Sequence, residues 1–293
     1  MAESDECLGV CIEGRQLFYA VSHPDRPAHL SHIGSIDFSF SLDGVLHEEE
    51  GRSFDILKRS IDQLVETHKP ETLRFLVPAR YECWSTFPRL VHETADERED
   101  HLNMLMNGRP RSELETTWNT LSNREFRLMM IRERRISDRL RELTNRVPGT
   151  EFVSEFELAR QWHHHSSERG EFLILCARER TLSVTSSLLG TLRGATWMPL
   201  ERTGDLPFLW QWYGKELSWM NGFHDQIYVC GSHALEVSDR LTATIGSGTH
   251  LHIFNTLEEM QVHAHETTYG FPLESAFPAI LLSQHPQPVE SGP

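Results

Sequence analysis

Closely spaced histidines are the residues of this chain whose type and spacing most directly suggest chemistry, in this case metal binding. Neutral imidazoles bind Zn²⁺ or Ni²⁺, and residues two apart on a strand share a face, so two histidine pairs could meet at one ion. The sequence holds one run and two such pairs: His163-His164-His165, His250-x-His252 and His263-x-His265-Glu266. Adjacent histidines at a helix end diverge, however, and 17 histidines in 293 residues produce close pairs by chance. We therefore predict a solvated loop at the run and no metal site.

Nucleophilic chemistry has one candidate, Cys83, which would need a histidine beside it. A buried, inert thiol is the simpler interpretation. No GxSxG, GxxxxGK[ST], HExxH or GxGxxG occurs, so the commoner hydrolase, P-loop, zinc-protease and dinucleotide signatures are absent. The odd number and the scatter of the cysteines indicate reduced thiols in a cytoplasmic setting, and the five are Cys7, Cys11, Cys83, Cys176 and Cys230.

Composition and charge indicate a folded protein and limit the classes of partner that it can bind. The chain is 39% hydrophobic and 24% charged, which is typical of a folded protein, and its length favours about two domains. No apolar run is long enough to span a bilayer, and the acidic start, MAESDECLGV, does not resemble a signal peptide. A net charge of −15 disfavours nucleic acid and anionic membranes as direct partners and favours a basic one.

The elements that position these residues form two series in the same order. In the first series we predict strands at 7–14, 16–22 and 29–40, a helix at 53–68 and a strand at 73–77. A charge-dense helix start at 93–101, strands at 116–121 and 127–131, a helix at 132–145, a strand at 151–153 and a helix at 155–164 follow. The second series has strands at 172–177, 181–188 and 192–200, a helix at 205–220, a strand at 226–230, a helix at 233–245, a strand at 250–254 and a helix at 274–283.

The repeated βββαβ order predicts an α/β fold with two duplicated lobes around a central cleft. The clearest break is the polar stretch 163–170, so we place the first lobe at 1–165, with an inserted subdomain at about 80–125. The second lobe covers 166–284. In one arrangement of the two lobes, its final helix packs back on the first lobe. The proline-rich end, 285–293, is expected to be a disordered tail.

Local patterns in the second half resemble the actin-like ATPase superfamily. Residues 227–232, a helix and then the glycine-led stretch 245–258 are similar to its adenosine-motif region, with Asn255-Thr256 where an Asn-Pro turn would stand. This version is most similar to PilM-like proteins and to the cytoplasmic domain of GspL. The runs 126–143, 151–160 and 275–280 resemble the PilM-like pattern as well. The resemblance implies duplicated actin-like lobes, related to RNase H, with nucleotide held between them.

The same resemblance identifies three loops that would handle nucleotide, and all three depart from the pattern. In the first loop Cys11 takes the place of the Mg²⁺-holding aspartate; Glu13 could supply a carboxylate instead, although Glu13-Gly14 reads as an ordinary hairpin turn. The second loop, 174–181, has neither aspartate nor glycine. The third loop, 231–233, keeps one glycine. The degenerate positions that correspond to the nucleotide site are Glu13, Gly14, Arg15, Arg178, Thr181, Gly231 and Ser232.

These departures favour a non-catalytic pseudo-ATPase adaptor with no cofactor, which binds a protein partner and does not enter the membrane itself. The resemblance implies a partner peptide from a membrane-bound assembly, in a groove of the first lobe near 72–90 and 116–131, and a place at the inner membrane through that partner. One alternative is an Mg-ATP enzyme or switch with phosphate contacts from Arg15, Arg178 and Arg180. Another is a lineage-specific actin-like protein with an unrelated role. The aromatic group Trp210, Trp212, Tyr213 and Trp219 is interpreted as core, with a part that could dock a peptide.

Overall fold

The computed structural model describes most of the chain. The described residues are 6–23, 26–48, 51–88, 94, 96–97, 100, 103, 110–122, 126–165, 170–220, 226–245, 249–254 and 270–284. Several features of the sequence lie outside them, namely most of the predicted helix start at 93–101, the Asn255-Thr256 turn, the second histidine pair and the C-terminal tail.

The first lobe is built on a five-stranded sheet with the order β3-β2-β1-β4-β8. Its elements are β1 (Cys7–Glu13), β2 (Gln16–His23), β3 (Arg26–Asp37), α1 (Arg52–His68), β4 (Thr72–Val77) and β8 (Gly149–Ser154). β1 is buried along its whole length, pairs antiparallel with β2 and runs parallel to β4, so helix α1 serves as the crossover connection. The predicted βββαβ order is confirmed here.

The second lobe repeats this arrangement with the strand order β11-β10-β9-β12-β13. Its elements are β9 (Glu171–Ala177), β10 (Thr181–Leu188), β11 (Thr191–Pro199), α4 (Leu206–Glu216), β12 (Gln226–Cys230), α5 (Ala234–Ile245) and β13 (His250–Ile253). β9 occupies the place of β1, between an antiparallel neighbour and a parallel one. The two central strands therefore end at equivalent hairpins, which face each other across the molecule.

A smaller three-stranded sheet, with the order β5-β7-β6, lies between the two series. Its strands are β5 (Glu82–Pro88), β6 (Leu114–Thr120) and β7 (Phe126–Glu133), and β7 leads into α2 (Arg134–Leu143). β5 was not predicted. Trp197 of β11 donates its indole N–H to the carbonyl oxygen of Glu82 at 3.0 Å, so the small sheet also contacts the second lobe.

The last helix, α6 (Leu273–Ser283), packs on β1, β2 and β4 of the first lobe. The approach is close, because a Cβ atom added at Gly9 would stand 2.0 Å from the Ala279 carbonyl oxygen. Trp162 of α3 (Leu158–His165), Phe172 of β9 and Phe277 of α6 are buried together in one hydrophobic cluster. That cluster joins residues of both series, so the two lobes share a core.

Three local predictions need correction. The helix predicted at 155–164 begins with one turn of 3-10 helix (Glu155–Glu157), and the helix predicted at 205–220 ends at Glu216, before a separate 3-10 turn. The histidine run is not a loop, since it forms the end of α3, and His163 lies half-buried against Gly190.

Candidate functional site

The β1–β2 hairpin brings Glu13, Gly14 and Arg15 to the cleft. Glu13 pairs with Gln16, so Gly14 and Arg15 form a two-residue turn, and Gly14 has a φ of +55°, which a glycine adopts without strain. Glu13 is buried and Arg15 is exposed. The turn predicted from Glu13-Gly14 is present, and the same glutamate also points its carboxylate into the interior.

The matching β9–β10 hairpin holds Arg178 and Thr181. The Arg178 N–H donates to the Thr181 carbonyl oxygen at 2.9 Å, which closes the turn, while Glu179 and Arg180 are exposed. Arg178 is only 3% exposed, although it lies at the tip of a hairpin. Its guanidinium therefore points into the cleft between the lobes.

Arg178 fills the space between the two hairpins. Its Nη1 donates to the Ile12 carbonyl oxygen at 2.7 Å and lies 4.0 Å from the Glu13 carboxylate. Its Nε lies 3.3 Å from the carboxylate of Glu155, at the entry to α3. Among the described residues Nη2 has no hydrogen-bond partner. We call these residues, Arg178, Glu13 and Glu155 with the groups that bind them, the Arg178 network.

Glu155 is held by groups from three parts of the chain. Besides Arg178, it accepts a hydrogen bond from the Ser183 hydroxyl at 2.6 Å and one from the backbone N–H of Ala79 at 3.0 Å. It is 1% exposed. Since buried carboxylates are tolerated when they are paired and hydrogen-bonded, these partners explain how a charge can lie this deep.

The loop after β12 completes the site with Gly231 and Ser232. The Ser232 N–H donates to the Glu13 carboxylate at 2.7 Å. Gly231 has a φ of +98°, and a Cβ atom there would stand 2.3 Å from the Ala177 carbonyl oxygen, so this position requires glycine. The structure thus brings together six of the seven predicted positions, Ser232 through its backbone N–H, and leaves the side chain of Arg15 at the surface.

Burial and ion pairing shift the pKa values of the network residues in opposite directions. Burial raises the pKa of Glu13, and Arg178 and the Ser232 hydrogen bond oppose this only in part. Burial disfavours the charged form of Arg178, but neighbouring groups that include Glu155 and Glu13 hold its pKa above the ordinary value. The network is thus one fixed positive charge between two carboxylates, in a setting poor in water.

These residues do not fit Mg²⁺ and a triphosphate. A hard cation needs oxygen ligands, but Cys11 stands at the position of the expected aspartate, and burial raises the pKa of its thiol to about 12. The carboxylate of Glu13 is already engaged by Ser232 and lies near Arg178. The two hairpin tips are also close, because a Cβ atom on Gly14 would lie 3.4 Å from the carboxylate of Glu179.

The other candidates that fall within the described residues do not assemble into a site. Within the described part of the chain no group of three or more potential ligands could hold a metal ion. His250 and His252 have ring centroids 6.3 Å apart. Cys83 is exposed, contrary to the interpretation as a buried thiol, and the other four cysteines are buried.

Sequence reasoning missed Glu155 and a second buried pair, Glu82 with Arg132. Arg132 donates to Glu82 through Nε at 3.1 Å, and Ser154 and Trp84 also donate to this carboxylate. The available signal for Glu155 was its place directly after strand β8, where a helix begins. Nothing local indicates that Glu82 is buried.

Comparison of the whole chain with known proteins shows the fold. No protein-family model matches the sequence, and comparison with curated protein sequences gives no match either. A solved protein of unknown function from Bacteroides thetaiotaomicron, with an actin-like ATPase fold, aligns at 12% identity and a TM-score of 0.51 over 86% of this chain and 92% of its own. The chain has the actin-like ATPase fold, with two lobes.

Two further solved structures are similar over nearly the full length. A chain of the PilM-PilN type IV pilus biogenesis complex aligns at 14% identity and a TM-score of 0.67, covering 95% of this chain and 97% of its own. The cytoplasmic domain of EpsL, an inner membrane component of the type II secretion system of Vibrio cholerae, aligns at 10% identity and a TM-score of 0.53, covering 96% of each chain. A kinase is also among the matches, so the fold includes enzymes and non-enzymes.

One property of the helices bears on membranes. In the portion of the chain that the structure describes, none is both long and apolar enough to cross a bilayer.

Proposed function

We propose that this protein is a non-catalytic, actin-like adaptor that binds another protein in a membrane-bound assembly of the pilus or secretion type. The observation that carries the proposal is the Arg178 network. The resemblance to actin-like ATPases implies that the two hairpins and the loop after β12 stand at the nucleotide-handling positions, and here their own side chains and backbone groups bind one another. Arg178 therefore holds the lobes together in the space that a nucleotide would need.

The similar structures support the binding part of the proposal. Of the similar structures described above, the one with the highest TM-score is a chain of a pilus biogenesis complex. Another is the cytoplasmic domain of an inner membrane component of a secretion system. An adaptor of this kind would lie on the cytoplasmic side and reach the inner membrane through its partner. The kinase match supports the alternative of a nucleotide-dependent enzyme, which the Arg178 network disfavours.

The partner site is proposed on the first lobe, near residues 72–90 and 116–131. These ranges correspond to β4 and to the three-stranded sheet, in which β6 lies at an edge in the described part of the chain. An edge strand offers unpaired backbone groups, to which an extended peptide can add by strand pairing.

Capture from native membranes tests this function. Tagged protein, incubated with detergent-solubilised membranes of its own host, is expected to retain a membrane protein whose cytoplasmic segment binds the chain directly. A matched sample carries Thr117→Pro in β6, because proline disfavours strand pairing and should reduce capture at this edge. If wild-type protein recovers no partner and stays monomeric in sedimentation, the adaptor function is wrong.

A further inference from the structure

Helix α4 is apolar on two opposite faces. Leu206, Trp210 and Gly214 are buried against the second lobe. On the other face Phe208 is 70% exposed and Trp212 is 52% exposed. These two residues are four apart, so their side chains are neighbours on the helix surface. A surface helix of a globular protein usually has one apolar stripe, which faces the core, so a second apolar face on α4 is suited to a partner.

The neighbouring helix, α5, carries a further exposed apolar side chain. Leu235 in its first turn is 65% exposed, and α4 and α5 pack beside each other. The side chain of Thr203, just before α4, donates to Glu236 of α5, which ties the two helix starts together. Of the five large hydrophobic side chains that are exposed among the described residues, three lie on these two helices. We call Phe208, Trp212 and Leu235 the aromatic patch.

Charge around the patch selects the partner. Four exposed carboxylates lie on the two helices and just before α4, against three exposed cations in the same segments; the carboxylates are Asp205, Glu216, Glu236 and Asp239, and the cations are Arg202, Lys215 and Arg240. Hydrogen bonds from Thr203 and His233 lower the pKa of Glu236, so that carboxylate is ionised at neutral pH. The chain as a whole carries −15, so a second copy of it would meet a like-charged surface.

We propose that the aromatic patch docks an amphipathic helix of another protein that is rich in lysine and arginine. Its apolar stripe would cover Phe208 and Leu235, and its cations would pair with these exposed carboxylates and with the face of Trp212. The patch lies on the second lobe, on helices that contribute no side chain to the Arg178 network. The inference is therefore independent of the proposed first-lobe partner site, and the chain would bridge two partners.

The test uses a fluorescein-labelled helical peptide of leucine and lysine, about 18 residues or five turns long, with the corresponding leucine and glutamate helix as its control. Anisotropy titrations compare the full wild-type chain with the double variant Phe208→Ser, Trp212→Ser. We expect the lysine probe to bind and the double variant to weaken it by about tenfold or more, because exposed aromatic anchors carry most interface energy. The glutamate probe should not bind.

Two further variants test the second helix and provide a negative control. Leu235→Ser, on the other helix, should also weaken the lysine probe, whereas Leu189→Ser should not, although Leu189 is equally exposed at 68% on a distant turn. Equal binding of the probe to wild type and the double variant would mean attraction by net charge alone and overturns the proposal. Equal binding of both probes overturns it as well, and so does a wild-type dimer in sedimentation that the double variant loses, since the occupant is then a second copy.

Discussion

At the scale of single residues, one buried arginine makes contacts that link the two lobes. Arg178 comes from a hairpin of the second lobe, and it binds the Ile12 carbonyl and faces Glu13, both in the first lobe. Glu155, at the junction of the two series, holds its other side. Because the guanidinium is planar and permanently charged, it can serve several acceptors at once, which a lysine could not do in the same geometry.

Replacement of Arg178 should strongly destabilise the fold. In Arg178→Met the Glu13 and Glu155 carboxylates stay buried without a counter-charge, and loss of one partner of a buried ion pair costs about 3 to 5 kcal/mol. Urea unfolding followed by tryptophan fluorescence measures this. The exposed neighbour provides the control, since Arg180→Met should change the free energy of unfolding by less than about 0.5 kcal/mol. Equal effects of the two substitutions would show that the network does not hold the lobes.

Glu13 should make stability depend on pH in a defined direction. Burial raises its pKa in the folded state above the ordinary 4.5, so the folded state binds this proton more tightly than the unfolded chain does. The stabilising contribution is complete below the ordinary pKa and is lost as pH rises through the raised value. Glu13→Gln imitates the protonated form and removes this dependence.

The free energies of unfolding of wild type and Glu13→Gln should therefore diverge as pH rises from about 4.5 to 8, with wild type losing stability relative to the variant. Paired urea titrations across this range measure the difference. Glu179→Gln, on an exposed neighbour, should show no such trend. A constant difference, or one of the opposite sign, would refute the raised pKa.

At the scale of elements, the fit of helix α6 against β1 depends on a residue without a side chain. A Cβ atom at Gly9 would stand 2.0 Å from the Ala279 carbonyl oxygen and 2.6 Å from the Ser283 nitrogen, which are backbone atoms that cannot move aside. Gly9→Ala should force α6 away from the sheet and destabilise the protein by about 3 kcal/mol, at the upper end of the usual overpacking cost.

Gly44→Ala is the matched control for α6 docking, because nothing lies within 4 Å of a Cβ atom at that position. Thermal unfolding should show a clear loss for Gly9→Ala and little change for Gly44→Ala. If Gly9→Ala unfolds like wild type, the close docking of α6 is wrong.

Much of the element order follows from the sequence, because alternating and periodic apolar residues mark strands and helices in both series. β5 escaped prediction for a physical reason: its residues Glu82 to Pro88 read ECWSTFP, and the buried side chain at its start is a carboxylate that Arg132 and Ser154 satisfy. The Arg178 network was not predicted from the sequence either. Charges in hairpins are normally solvated, and local sequence gives no sign of the pairing across the chain, such as Arg178 with Ile12, that helps to bury them.

At the scale of the whole molecule, the lobes are joined by two kinds of contact. The Arg178 network links their hairpins on one side, and the hydrophobic cluster around Trp162 and Phe277 links their sheets. In an actin-like ATPase fold this combination favours a body whose lobes remain together without nucleotide. An adaptor with a constant shape can present its partner sites without an energy source, which is consistent with the function proposed above.

Thermal unfolding with Mg-ATP, Mg-ADP and no nucleotide tests this account most directly. A ligand that binds only the folded state raises its stability by about 2.7 kcal/mol at a hundred times its dissociation constant, so even modest affinity is visible at millimolar nucleotide. We predict the same unfolding temperature in all three conditions for wild type, because Arg178 and Glu13 already occupy the cleft. A reproducible rise of several degrees with either nucleotide would contradict the account and show that the cleft still binds nucleotide.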